Sequence, residues 1–152
     1  MRLLICFFIV LIFVLYSCGW QNSEVSQKPK ISMVGKWHRF SIQNGYSEFE
    51  IDSQYVVVVS QKFGKSRLAY KIDNDSFKYL TIDYSAQISA EGDSMIVLKN
   101  GNEVATLIRY DKSVCPFENI PDEHDTLLYN AYMENFYKRA EQAWTDAGFS
   151  KN

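Results

Sequence analysis

The sequence predicts a mainly β fold: a small antiparallel meander β-barrel of about eight strands with a C-terminal amphipathic α-helix packed on it. Three observations predict it. Turn chemistry recurs about every 8 to 12 residues between 36 and 110, at Asn44-Gly45, Asp52-Ser53, Gly64-Lys65, Asp73-Asn74-Asp75, Glu91-Gly92-Asp93 and Asn100-Gly101. The runs between these turns alternate apolar and polar with a period of two. Beyond Pro121 the period changes to that of a helix.

Strands are expected near 36–42, 46–51, 54–62, 66–72, 77–84, 86–90, 94–99 and 103–110. Phe49 and Ile51, then Leu68, Tyr70 and Ile72, then Leu80, Ile82 and Tyr84, then Ile96 and Leu98 each share one face. Charged residues fill many of the positions between them. The run Val56 to Val59 does not alternate, which suits a strand covered on both faces, so something must pack outside the sheet there. Consecutive short strands joined by tight turns make a meander. Closing about eight of them into a barrel removes the exposed edges, whereas a sandwich would call for longer Greek-key connections.

The helix follows Pro121, with Asp122, Glu123 and Asp125 supplying negative charge at its start and Gly148 a stop. On a helical wheel Leu128, Tyr129, Tyr132, Met133, Phe136, Tyr137, Ala140, Ala143, Trp144 and Ala147 fill one half, and Arg139 falls in the polar half. So wide an apolar face predicts a helix set deep in a groove, with the Val56 to Val59 strand as its floor.

Composition bounds the function. With 47% hydrophobic and 22% charged residues and a net charge of -2, the chain reads as a globular domain. It lacks the basic footprint that nucleic acid requires. The apolar residues are concentrated at the start: 3 to 16 form an unbroken run behind Arg2. That run is shorter than the roughly 20 residues a membrane-crossing helix needs, and it has the length of a secretion signal.

Leu15-Tyr16-Ser17-Cys18 followed by Gly19 resembles the lipobox of bacterial lipoproteins. The resemblance implies a diacylglyceryl group on the Cys18 thiol, cleavage before Cys18 by signal peptidase II, and acylation of the new amine. Several acyl chains anchor durably at about 0.8 kcal/mol per buried methylene. Gly19 is not the aspartate that retains enteric lipoproteins at the inner membrane, and the following tract holds Glu24 alone rather than an acidic pair. The expected location is therefore the bacterial outer membrane, lipid-anchored and facing the periplasm. Residues 1–17 are then the signal peptide, 18–34 the lipidated cysteine and tether, 35–114 the barrel, and 115–152 a linker and the helix. Gly19 to Lys30 reach at most about 40 Å when fully stretched.

With Cys6 in the signal and Cys18 lipidated, Cys115 is left without an intrachain partner. Beside Pro116 and without a local base, it reads as a packed structural cysteine. The motifs of metal, phosphate-loop and serine catalysis are missing, so the chain does not read as an enzyme, and no cofactor or metal is implied. Asp122, Glu123, His124 and Asp125 are explained as a solvated helix start, and Asp73-Asn74-Asp75 as a hairpin turn.

Gly35-Lys36-Trp37 at the first strand, with Arg109 late in the last, is similar to the Gly-x-Trp signature of lipocalins and the wider calycin group. The resemblance, closest to the small lipocalin-like lipoproteins of Bacteroidetes-type bacteria, implies that Trp37 closes the barrel floor and Arg109 packs across its ring. It also implies a binding site for a small apolar molecule or an envelope component, and because residues 36 to 110 spend only about nine residues on each strand and turn, less than a typical lipocalin, the interior is expected to be shallow. Tyr46, Tyr55, Tyr70, Tyr79, Tyr84, Tyr137 and Trp144 are the candidate pocket or rim residues. The rival expectation is a protein-interaction module, such as an inhibitor, an immunity factor or an accessory subunit of an envelope complex. A roomy mouth lined by aromatics would favour the ligand, and a filled barrel with an exposed apolar patch the partner.

Overall fold

The structure, a computed structural model, describes residues 32–113 and 115–149; Cys18 and the rest of the signal and tether up to residue 31 lie outside them. Eight strands follow one another: β1 (Gly35–Ser41), β2 (Gly45–Ile51), β3 (Tyr55–Ser60), β4 (Gly64–Asp73), β5 (Ser76–Tyr79), β6 (Ser85–Glu91), β7 (Met95–Asn100) and β8 (Glu103–Arg109). Each pairs antiparallel with the next, and β8 returns to β1, so the sheet closes into a barrel in strict sequence order. The closing seam is short. β1 meets β2 along its whole length, from Gly35↔Ile51 to Ser41↔Gly45, but meets β8 only at Trp37↔Arg109 and His38↔Ile108. One further bond, from the Tyr110 amide to the Lys36 carbonyl, extends that seam.

One strand departs from the sequence reading. The run expected to continue to residue 84 stops at Tyr79, although Leu80, Ile82 and Tyr84 keep the alternation. The Leu80 amide still reaches the Ala69 carbonyl, but the Tyr79 amide already takes the Tyr84 carbonyl, and this closes 80–84 into a loop. Leu80 and Ile82 are consequently exposed.

Alternation along the strands sorts the side chains into two apolar cores. The first fills the barrel with Met33, Trp37, Ile51, Val56, Phe77, Ile88, Ile96, Leu98 and Leu107 among others. Met33, counted with the tether from sequence, is a buried member of this core. The second lies on the outer wall, where Tyr46 and Val59 meet Phe117, Ile120, Tyr132, Phe136 and Ala140. Val56 belongs to the first core and Val57 and Val59 to the second, so both faces of β3 are covered.

The outer core exists because helix α1 (Thr126–Asp146) lies against the wall. Asp125 caps its start, accepting from the Leu128 amide at 3.3 Å, and satisfies one of the free amides of the first turn. Its end is a Schellman motif: the Gly148 amide donates to the Thr145 carbonyl and the Phe149 amide to that of Trp144, with Gly148 at φ +85°. A side chain would strain that left-handed position.

The buried seam of α1 is Tyr132, Phe136 and Ala140, narrower than the expected half-circumference. Leu128 and Tyr137 are more than half exposed, whereas Arg139, assigned to the polar half, turns inward. The helix therefore rests on the wall along one stripe and is not sunk in a groove. Phe117 and Ile120, from the connection between β8 and α1, cover what the stripe leaves open.

Candidate functional site at the barrel mouth

A strictly sequential barrel puts alternate turns at opposite ends. The turns at 52–54, 74–75 and 92–94 lie at the end where β1 starts, and those at 42–44, 61–63, 80–84 and 101–102 at the other. The first end is the floor. The Arg109 guanidinium carbon lies 4.3 Å from the Trp37 ring centroid, and the Trp37 Nε1–H donates to the Met33 carbonyl at 2.7 Å. Arg109 Nη2 donates to the Ser32 carbonyl. Gly35 belongs to the same arrangement, for a Cβ there would sit 3.5 Å from Arg109 Nη1 and 3.6 Å from Trp37 Nε1, at φ +143°. The Gly-x-Trp element thus lets the backbone pass close beneath the stacked pair.

The opposite end is open. A cavity of about 790 Å³ enters there, lined by Phe49, Tyr79, Tyr84, Leu98, Ala105 and Leu107 from the walls and by Arg39, Asn44, Asn102 and Glu103 nearer the rim. Its size falls within the roughly 300–1,000 Å³ typical of small-molecule sites. Arg39 is two residues beyond Trp37 on β1, so the two-residue period puts it on the interior face. It is partly buried and has neither a hydrogen-bond nor an ion-pair partner among the described residues. Burial pushes the Tyr79 hydroxyl up to about 12, with Tyr84 adding to the rise and Arg39 opposing it. Tyr84 also shifts upward through burial. Both phenols therefore stay protonated at neutral pH, which leaves the cavity with a cation at Arg39, a carboxylate at Glu103, two hydroxyl donors, the amides of Asn44 and Asn102, and an apolar patch formed by Phe49, Leu98, Ala105 and Leu107.

Of the seven aromatic residues expected at a pocket or rim, the structure brings Tyr79 and Tyr84 into the cavity lining. The other five stand elsewhere. Tyr70 stacks on Phe77 inside the barrel and gives its hydroxyl to the Asp52 carbonyl at the floor end. Tyr55 lies under Arg67, 4.0 Å from the guanidinium carbon. Tyr137 is exposed on α1, and Trp144 packs edge-on against Phe40 and donates to Gln61 Oε1. Tyr46 is buried beneath the helix. Arg39 escaped the sequence reading because an interior arginine looks like any polar residue between Trp37 and Ser41. Counting in twos from Trp37 would have found it.

Tyr46 belongs to a second feature that the sequence did not announce. Glu48, fully buried on the outer face of β2, receives Arg139 through Nε at 2.6 Å and Nη2 at 3.0 Å, one bond to each carboxylate oxygen. The hydroxyls of Tyr46 and Tyr132 donate to the same carboxylate at 2.9 and 2.6 Å, and that of Tyr110 lies 3.1 Å from it, its single proton shared between Glu48 and the Tyr46 oxygen. Those of Tyr46 and Tyr110 also bond each other. Burial first, and then the Glu48 charge, push all three phenols upward. Burial works against the charge on Arg139, but the bonds and charge of Glu48 outweigh it and hold the guanidinium more firmly protonated. His38 stacks near Tyr110, with ring centroids 4.6 Å apart, and burial lowers its affinity for a proton while Glu48 opposes the change. The cluster binds α1 to the barrel wall. Its carboxylate, guanidinium and phenols are engaged with one another, so it is a clamp and not a ligand site.

No family model, curated protein or solved structure matches this chain. Its own geometry therefore has to carry the functional reading. No group of three His, Cys, Asp or Glu side chains among the described residues is placed to hold a metal ion. Asp122 takes the His124 amide in a local turn. Cys115 is half-buried, with its thiol donating to the Phe117 carbonyl at 3.2 Å. No helix among the described residues is long and apolar enough to cross a membrane.

Proposed function

We propose that the protein is a lipid-anchored, periplasm-facing binding module of lipocalin-like build, holding a small amphiphile in the mouth of its barrel. The single observation that carries this reading is the mouth cavity: an apolar patch of wall beside an interior-facing arginine that has no hydrogen-bond or ion-pair partner among the described residues. An aliphatic body would lie along Phe49, Leu98 and Leu107. An anionic head would take the Arg39 guanidinium, assisted by the phenols of Tyr79 and Tyr84. Charge-assisted bonds of this kind contribute about 1.5–3 kcal/mol each.

The test compares dodecanoate with dodecanol by titration calorimetry on the full chain. Arg39→Met should weaken dodecanoate by about 10- to 100-fold, the equivalent of that bond energy, and leave dodecanol nearly unchanged. Arg39 makes no bond within the described structure, so the substitution spares the fold. Equal loss for both compounds, or no binding of either by the unsubstituted protein, would remove the proposal. The anchor is tested separately. Cys18→Ala should move the protein from the membrane pellet to the soluble fraction, and retention in the pellet would exclude lipidation at Cys18 as the anchor.

A further inference from the structure

We infer that the mouth rim is a lipid-docking surface, which seats the open end of the barrel on a phospholipid bilayer. The two ends of the barrel differ in what their turns expose. At the mouth, Ile42 is 64% exposed, Phe63 71%, Leu80 57% and Ile82 48%, and Val104, just inside β8, is also exposed. Ile42, Phe63 and the Leu80–Ile82 pair stand on three separate connections around the opening, and Val104 stands at the mouth end of β8. The floor-end turns carry no apolar side chain. Their residues 52–54, 73–76 and 91–94 instead hold Asp52, Asp73, Asp75, Glu91 and Asp93, with no lysine or arginine among them.

The arrangement fits a bilayer better than a protein partner. Three apolar tips and Val104, set around a cavity, would have to match separate hollows on a rigid surface, whereas fluid acyl chains fill in around each. Lys62, with Nζ 5.3 Å from the Phe63 ring centroid, can hold its charge at headgroup level while the ring goes deeper. Charge supports the same polarity, because an anionic leaflet repels the five carboxylates of the floor, with no cation among those turns, more than the two at the rim, Asp83 and Glu103, which Lys62 and Arg39 offset. The stretch from Gly19 to Lys30, at most about 40 Å long, exceeds the roughly 23 Å that a seven-residue strand spans. An anchor at Cys18 therefore leaves the mouth free to turn toward the bilayer. The inference rests on the binding reading for its purpose, since docking would open the cavity to the acyl layer, but its test does not depend on that reading.

Mature protein carrying Phe63→Trp, Leu80→Trp or, at the floor, Asp93→Trp is mixed with phosphatidylcholine–phosphatidylglycerol vesicles containing brominated lipid. The fluorescence added by each new tryptophan over the unsubstituted protein is then followed. Both rim reporters should shift to the blue and lose most of their added emission to bromine, while the Asp93→Trp reporter keeps its own. Equal emission loss at rim and floor, or none at the rim, overturns the docking. So does a rim blue shift that grows with protein concentration in the absence of lipid, since that result assigns the surface to a second copy of the chain. If dodecanoate still binds when the rim reporters stay unquenched, the docking falls and the binding proposal stands. Quenched rim reporters in a protein that binds no dodecanoate leave the docking standing and remove the binding proposal.

Discussion

Replacing Arg139 by leucine is expected to destabilise the protein by about 3 kcal/mol, because it strips from a fully buried carboxylate its one cationic partner among the described residues. Removing one member of a buried pair costs about 3–5 kcal/mol when the other charge is left uncompensated. The lower end applies here, since phenol hydroxyls, those of Tyr46 and Tyr132 among them, still donate to Glu48. Urea unfolding followed by circular dichroism measures the loss. The identity of the partner is tested by a double-mutant cycle. Glu48→Gln removes the charge that needs compensation, so Arg139→Leu should cost less in that background, by about 1–3 kcal/mol. Additive losses, or a single-variant loss under about 1 kcal/mol, would mean that Arg139 merely covers the wall with its aliphatic stem. Because Glu48 sits on β2 and Arg139 on α1, the weakened variant should release the helix first. Hydrogen exchange along residues 126–146 would then quicken before exchange in β6 or β7.

The clamp also shows where the sequence was readable and where it was not. The barrel was legible because several runs obey a period of two and the turns between the strands announce themselves through glycine, asparagine and aspartate; the Val56 to Val59 run, which does not alternate, is the strand covered on both faces. The β5 boundary was misplaced because Leu80, Ile82 and Tyr84 satisfy the same period without a partner strand to pair with. Periodicity records which face a residue would occupy, not whether a neighbour is there. Glu48 illustrates a second limit. Its position fits the polar face of β2, and Arg139 fits the polar face of α1, so each alone reads as solvated. Glu48 is buried and Arg139 half-buried only because the two polar stripes meet, a tertiary fact absent from either pattern. The candidate site divides in the same way. Tyr79 and Tyr84 were named on aromatic character, a property of single residues, whereas Arg39 required the strand face to be followed upward from Trp37.

Trp37→Ala is expected to cost about 4 kcal/mol or more, which would leave a domain of ordinary stability close to unfolding. Trp37 is 1% exposed and one of the largest side chains in the barrel core. Emptying such a site costs about 3–5 kcal/mol on its own account. Two further losses add to it. The Met33 carbonyl loses its indole donor, worth about 1 kcal/mol, and the Arg109 guanidinium loses the ring it covers, worth about 0.5–2 kcal/mol. Arg109 Nε is already buried without a partner, so nothing nearby compensates for the missing ring. The position magnifies the effect, because Trp37↔Arg109 is one of the two residue pairs that join β1 to β8. Trp37→Phe keeps an aromatic face for Arg109 and most of the volume, and should cost roughly half as much. Far-ultraviolet circular dichroism is the suitable probe, since the substitution removes a fluorophore. A loss below about 2 kcal/mol for the alanine variant would show that the barrel closes without its floor.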